Sequence, residues 1–223
     1  MHLDIEPEPD GLLETGEEFI SWFEEDLLPL GANYLSGSLD VPVDEAERII
    51  RLHLNLCYDI CHFAIGFEPH REIIRKLSAK GIKVGKIQIS AALKASFPGE
   101  ERSAVINSFS KFDEPTYLHQ VVAKCENGQL IRYPDLPEAL ADGDNPAVVE
   151  WRAHFHVPVF ADAFNALSST QKDIEEVLMI QHERPFTNHL EVETYTWEVL
   201  PDDKKLPVNQ SIIRELEWVK GLM

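Results

Sequence analysis

Leu54-Asn55-Leu56-Cys57-Tyr58-Asp59 and, further on, Ile82-Lys83-Val84-Gly85-Lys86-Ile87-Gln88-Ile89-Ser90 decide how this chain is read. Both are short, β-prone apolar runs that finish in polar side chains. Between them Ile73, Ile74 and Leu77 fall at helical spacing within 69–79, and Gly81 supplies a left-handed stop. Strand, helix, strand is one turn of a βα rhythm, and it predicts a mainly parallel sheet.

The rhythm continues on both sides. Upstream, Leu3–Glu6 is a strand broken by Pro7 and Pro9. Phe19, Ile20, Phe23 and Leu27 then predict a helix interrupted at Gly31 and at Ser36-Gly37-Ser38. A second helix opens at Asp44, with Glu47 as capping-box partner, and carries Ile49, Ile50 and Leu52. Downstream, 95–150 is an irregular insertion without that rhythm. Inside it, Tyr117–Lys124 and Gln129–Arg132 around Asn127-Gly128 predict a β-hairpin with a type I′ turn. Ala153–Phe160 is apolar and carries two histidines. Thr170, with Asp173 completing a capping box, starts a helix that presents Ile174, Val177 and Leu178. His189–Thr194 is the last strand, and a closing helix from about Asn209 shows Ile212, Ile213, Leu216 and Val219.

About four βα units with a hairpin insertion make one α/β domain over 1–223. An open four-stranded sheet exposes its edges, so the expectation is part of a closed barrel completed by other chain. At 223 residues and 44% hydrophobic composition, a substantial single core is affordable. The formal charge of −19, from 20 Lys+Arg against 39 Asp+Glu, repels phosphate backbones and anionic bilayers. No nucleic acid and no membrane insertion are expected, and no apolar run approaches the roughly 20 residues of a membrane span. The start has neither the basic nor the apolar part of a signal peptide, so a cytoplasmic location is expected. Cys57, Cys61 and Cys125 read as buried thiols, with no second cysteine pair or histidine spacing to complete a zinc site.

In βα architectures chemistry gathers where strands end. The ends carry Glu6-Pro7-Glu8, then Asp59 with His62, then Gln88, then His154-Phe155-His156, then Glu191-Val192-Glu193. Singly, each has an ordinary reading: a hydrogen-bonded turn at Asp59 and His62, solvated charge at Glu6 or Glu8, core histidines at His154 and His156. Together they are costly to bury without a cation. Mixed Glu, Asp and His donors suit Mn²⁺, Mg²⁺, Co²⁺ or Zn²⁺ without choosing among them.

This order of strand-end residues resembles the xylose-isomerase-like (β/α)8 barrels, a superfamily of sugar epimerases and endonuclease IV-type repair enzymes. The resemblance implies the carboxyl-terminal half of such a TIM barrel. It implies Glu6 and Glu193 as metal-binding acid and base, Asp59 as a ligand, and His62 as a ligand or substrate contact. Gln88 takes a place usually held by a metal-binding His, and His154 and His156 resemble the Asp-x-His pair of the endonuclease branch. Leu3–Asp10, His154–Pro158 and 189–197 are also similar to the metabolite traffic protein E family of the ebo gene cluster. Cys57–His62, Lys86–Ser90 and Tyr117–Gln120 fit that family too, whose members are longer and begin with further strands.

What this implies is a metal-dependent sugar or polyol isomerase or epimerase acting on a small biosynthetic metabolite. Glu8, Lys86, His62, His119, His154 and His156 would serve substrate or an additional metal. Partners would be that metabolite and either a second copy or a separate amino-terminal half. The alternatives are a non-catalytic binding or assembly role and an inactive fragment. Cleavage of damaged DNA is opposed by the charge. Tyr117, His119 and Gln120 read either as a substrate lid or as an ordinary strand, and Trp151 and Trp197 as core.

Overall fold

The computed structural model describes residues 1–97, 101–164, 166–194 and 207–223. The chain opens with β1 (Leu3–Ile5), followed by α1 (Gly16–Trp22), α2 (Leu28–Leu39) and α3 (Val43–His53). Then come β2 (Leu54–Asp59), α4 (Ile60–Ile65), α5 (His70–Ala79) and β3 (Val84–Ile89). Next are β4 (Ala92–Ser96), α6 (Arg102–Phe109), β5 (Val121–Cys125), β6 (Leu130–Tyr133), α7 (Leu136–Ala141) and β7 (Val148–His156). The described chain closes with β8 (Ala163–Phe164), β9 (Leu167–Ser169), α8 (Gln171–Glu183), β10 (Leu190–Val192) and α9 (Val208–Leu222).

Four strands form a parallel sheet in the order β1-β2-β3-β10. Period-two alternation gives it two unlike faces. Leu56, Tyr58, Ile87 and Ile89 are fully buried on one, in a cluster with Phe19, Ile50, Ile73, Leu77 and Val177 from the helices. Cys57, Asp59 and Gln88 point to the other. Asp59 lies opposite Gln88, and Gln88 opposite Glu191, in register. The register slips between Leu56 and Cys57, where Gly85 is the extra residue. A β-carbon on Gly85 would sit 1.9 Å from Asp4 Oδ1, so only glycine lets that carboxylate lie against the strand.

The long segment between β3 and β10 is not irregular. It builds a six-stranded sheet in the order β6-β5-β7-β4-β9-β8, antiparallel in every pairing. Ala153–Phe160, the apolar stretch with two histidines, supplies the end of β7, which lies between β4 and β5. Trp151 is fully buried at its centre, edge-on to Phe97 and Phe109. Trp197 lies outside the described residues.

Several local expectations change. The hairpin forms, but Gly128 alone has positive φ, at 85°. Its N–H reaches the Cys125 carbonyl, and Cys125 N–H bonds the Gln129 carbonyl. The turn is therefore a three-residue loop ending in a left-handed glycine, not type I′. The first helix runs through Gly31 and stops at Asp40, which takes φ 53°. A π-turn at Phe23–Leu27 precedes Pro29, whose ring would obstruct regular α-helical bonding.

Neither expected capping box forms. The helix at 43–53 starts after Pro42. Thr170 Oγ1 accepts the Ala92 N–H, and Asp173 bonds His70 and Arg152. A box sits at Thr15 and Glu18 instead. In α9 the buried side chains are Ser211, Glu215 and Val219, while Ile212, Ile213 and Leu216 are exposed. Glu215 sets that orientation by accepting from Val159 N–H and Thr194 Oγ1.

The fold is mixed α/β, with one parallel and one antiparallel sheet. Among the described residues the parallel strands do not close into a barrel. No described helix is long and apolar enough to cross a membrane.

Candidate metal centre

The site forms where the parallel strands end and α4 begins. Asp59 closes β2 and caps α4, accepting the His62 N–H at 3.2 Å. Ser90, just past β3, donates to the same carboxylate at 2.7 Å and accepts the Cys61 N–H at 3.0 Å. Asp59 is fully buried, yet these donors have it anchored from two elements.

Around it stand the other strand-end carboxylates. One oxygen each from Glu6, Asp59 and Glu193 lies within 4.8 Å of the others. Gln88 Nε2 reaches all three, Glu6 Oε1 and Asp59 Oδ2 at 3.0 Å each and Glu193 Oε2 at very short range. Cys57 donates its S–H to Gln88 Oε1 at 2.9 Å. Two amide hydrogens thus face three carboxylates, in the space a small cation would fill. The amide nitrogen only donates and ligates nothing, so Gln88 joins a ligand set only with its carboxamide turned over.

A second group of donors adjoins the first. Asp59, His62 and His156 have ligand atoms within 4.8 Å of one another, and so do Cys61, His154 and His156. His62 Nδ1 lies 3.4 Å from Glu6 Oε1 and 3.0 Å from the Pro7 carbonyl oxygen. His62 Nε2 is 3.1 Å from His154 Nε2. All five of these donors are contributed by the end of β2, by the first turn of α4 or by the end of β7.

Burial splits the acids. It pushes Glu193 up to about 7, reinforced by Asp59 and Glu6. Glu6 is raised by burial and by Asp59. Asp59 is also pushed up by burial, but His62, His156, the Ser90 hydroxyl and the His62 N–H outweigh this and hold it below the usual range. Burial pushes the histidines down, His154 well below its usual value and His156 to about 4. Both imidazoles are neutral near pH 7, as metal ligation requires.

Of the residues singled out from sequence, Glu6, Asp59, Gln88, Glu193, His62, His154 and His156 come together. Glu8, Lys86 and His119 do not join them as donors. Glu8 is exposed and bonds through its backbone to Leu13 and Gly11. Lys86 is held by Glu191 at 2.6 Å. His119 is buried between the His154 carbonyl, 3.1 Å away, and Glu114, 2.9 Å away. Neither Tyr117 nor His119 lies within a strand, since β5 starts at Val121. Ser90 and Cys61 were missed. Ser90 is legible only as the residue that follows Gln88, and Cys61 only as the residue beside His62.

A pocket of about 120 Å³ opens beside the cluster, with His62, Gln120, Thr15, Arg132 and Tyr133 in its wall. It meets the centre at His62 and not at the carboxylates. It is smaller than the roughly 300–1,000 Å³ typical of drug-sized ligands.

Comparison with protein-family models, with curated proteins and with solved structures finds no match to this chain.

Proposed function

We propose that this chain binds a divalent cation at Glu6, Asp59 and Glu193 and acts on a small sugar- or polyol-like metabolite by moving a proton between neighbouring carbons. The observation that carries this reading is the split among three carboxylates sharing one 4.8 Å space, with Asp59 held ionised and Glu193 raised to about 7. The two raised glutamates are suited to exchange protons, while the ionised Asp59 keeps a fixed charge for the cation. The donor set fits a hard or borderline divalent ion, since three carboxylate oxygens converge and no Lys or Arg among the described residues bonds to them. Such a cation would supply polarisation of a carbonyl oxygen.

The chain's own residues do the remainder. Glu193, whose carboxyl is raised by burial in the metal-free site, is placed to take a proton from one carbon and return it to the next. Glu6, also raised, is its counterpart on the opposite edge strand of the sheet. Asp59 stays ionised and anchored by Ser90, so it holds position and charge rather than exchanging a proton. His62 lines the pocket and marks where it reaches the centre. The small pocket favours a compact metabolite over a polymer.

The test is solvent hydrogen exchange. With Mn²⁺ present, a panel of ketoses and aldoses incubated in D₂O is expected to gain deuterium beside the carbonyl with wild type and not with Glu193→Gln. Equal exchange by the two proteins would overturn the acid–base assignment.

A second reading is favoured by one contact set. Gln88 Nε2 reaches all three carboxylates, and its two hydrogens can tie two of them together, which is how a binding or assembly protein would hold part of the cluster without a cation. A chain that takes up no metal even as Gln88→Ala would support that alternative.

A further inference from the structure

The donors next to the carboxylates are of a different chemical kind. Cys61, His154 and His156 bring a sulfur and two ring nitrogens within 4.8 Å of one another, all three residues buried. His62 stands beside them, its Nε2 3.1 Å from that of His154.

Hydrogen bonds fix which ring nitrogens carry protons. His62 Nδ1 faces the Pro7 carbonyl oxygen at 3.0 Å, an acceptor only, so this nitrogen is the protonated one. His154 Nδ1 faces Gln120 Oε1 at 2.9 Å and is protonated for the same reason. The two neutral rings then turn Nε2 lone pairs toward each other across 3.1 Å with no hydrogen between them. Imidazoles whose outer nitrogen is tied to an oxygen acceptor while the inner lone pairs converge are arranged as metal ligands are.

Charge balance agrees with two ions: with both positions filled, two divalent cations match three carboxylates and a Cys61 thiolate.

We infer that the chain holds a second divalent cation, of the borderline-soft zinc class, at Cys61, His154 and His156, with His62 as the adjoining fourth donor. The inference goes beyond the function proposed above and needs no reaction at the carboxylates. On binding, the Cys61 S–H bond breaks, its proton leaves to solvent and a sulfur–metal bond forms, without oxidation or reduction. Sulfur with imidazole selects zinc over magnesium or manganese, so the two positions would take different metals.

The experiment uses Co²⁺ as the probe, titrated into the whole, chelator-stripped chain and followed by absorption. Sulfur ligation gives an intense near-ultraviolet charge-transfer band, and oxygen ligation gives only weak visible bands. The expected result is a charge-transfer band that saturates at one equivalent, vanishes in Cys61→Ser and survives in both Cys57→Ser and Glu193→Gln. His156→Gln, checked for native circular dichroism, is expected to weaken the site roughly tenfold or more. This keeps the test meaningful if Cys61→Ser does not fold. A band absent from wild type, or surviving in Cys61→Ser, would overturn the second position. Visible bands alone, lost in Glu193→Gln, would do so while leaving the carboxylate position standing. A sulfur band with no binding at the carboxylates would uphold the second position and remove the basis of the function proposed above.

Discussion

The carboxylate and imidazole sides of the centre are built from different sheets, and their contrast explains their chemistry. Glu6 and Glu193 project from the open ends of parallel edge strands and stay partly exposed, whereas His154 and His156 end the central strand of the antiparallel sheet and are buried. Burial disfavours charge on both sides, raising the acids and lowering the bases. Both sides are thus prepared for the same remedy, a cation, but one side can exchange protons with solvent while the other is held neutral. Asp59 joins them, because it belongs to the carboxylate trio and to the Asp59–His62–His156 trio alike.

The largest effect is expected from breaking the support of the imidazole side. Trp151→Ala removes a fully buried indole packed between Phe97 and Phe109 and should lower unfolding free energy by about 3–5 kcal/mol, read by chemical denaturation. Asp59→Asn comes next. Its carboxylate is stabilised in the folded state, so at neutral pH the variant should lose about 1–3 kcal/mol and bind cations at least tenfold more weakly at both positions. Calorimetric titration with Mn²⁺ and Zn²⁺ checks this, and loss at only one position would show that Asp59 does not couple them.

A pH series sharpens the contrast. Glu193 has its folded value near 7 against an ordinary 4.5, so between these the metal-free folded state binds more protons than the unfolded one. Its contribution to stability therefore falls as pH rises. His156 runs the other way. Its folded value near 4 lies below 6.5, so between these the unfolded chain binds more protons and stability rises with pH. The slopes oppose each other from about pH 4.5 to 6.5. Glu193→Gln should expose the rising slope and His156→Gln the falling one, with melting temperatures as the readout. Smallest is Thr15→Ala, which removes the cap of α1 on the pocket wall and takes no donor from either side. It should cost about 1 kcal/mol and leave metal affinity unchanged.

The parallel half of the fold was legible because its strands are local apolar runs bounded by proline, glycine and helical spacing. Glu6, Asp59, Gln88 and Glu193 were legible for the same reason, since each follows or ends such a run. The second sheet was not. The pairing of β7 with β4 and β5 depends on partners about 25 to 65 residues away, and nothing in Val148–His156 alone distinguishes a parallel from an antiparallel neighbour. The capping expectations failed at Thr170 and Asp173 because both side chains found longer-range partners. The apolar stripe of α9 misled because Glu215, a carboxylate, is the buried anchor. Cys61 went unrecognised because its companions, His154 and His156, arrive from another sheet.

Metal content of the purified whole chain, by elemental analysis beside Glu6→Ala, Asp59→Ala and Glu193→Ala, tests the central claim most directly. The account predicts bound divalent metal in wild type that falls by at least one equivalent in each variant. Wild type free of metal after exposure to Mn²⁺, Co²⁺ and Zn²⁺, or variants that retain the full amount, would contradict it.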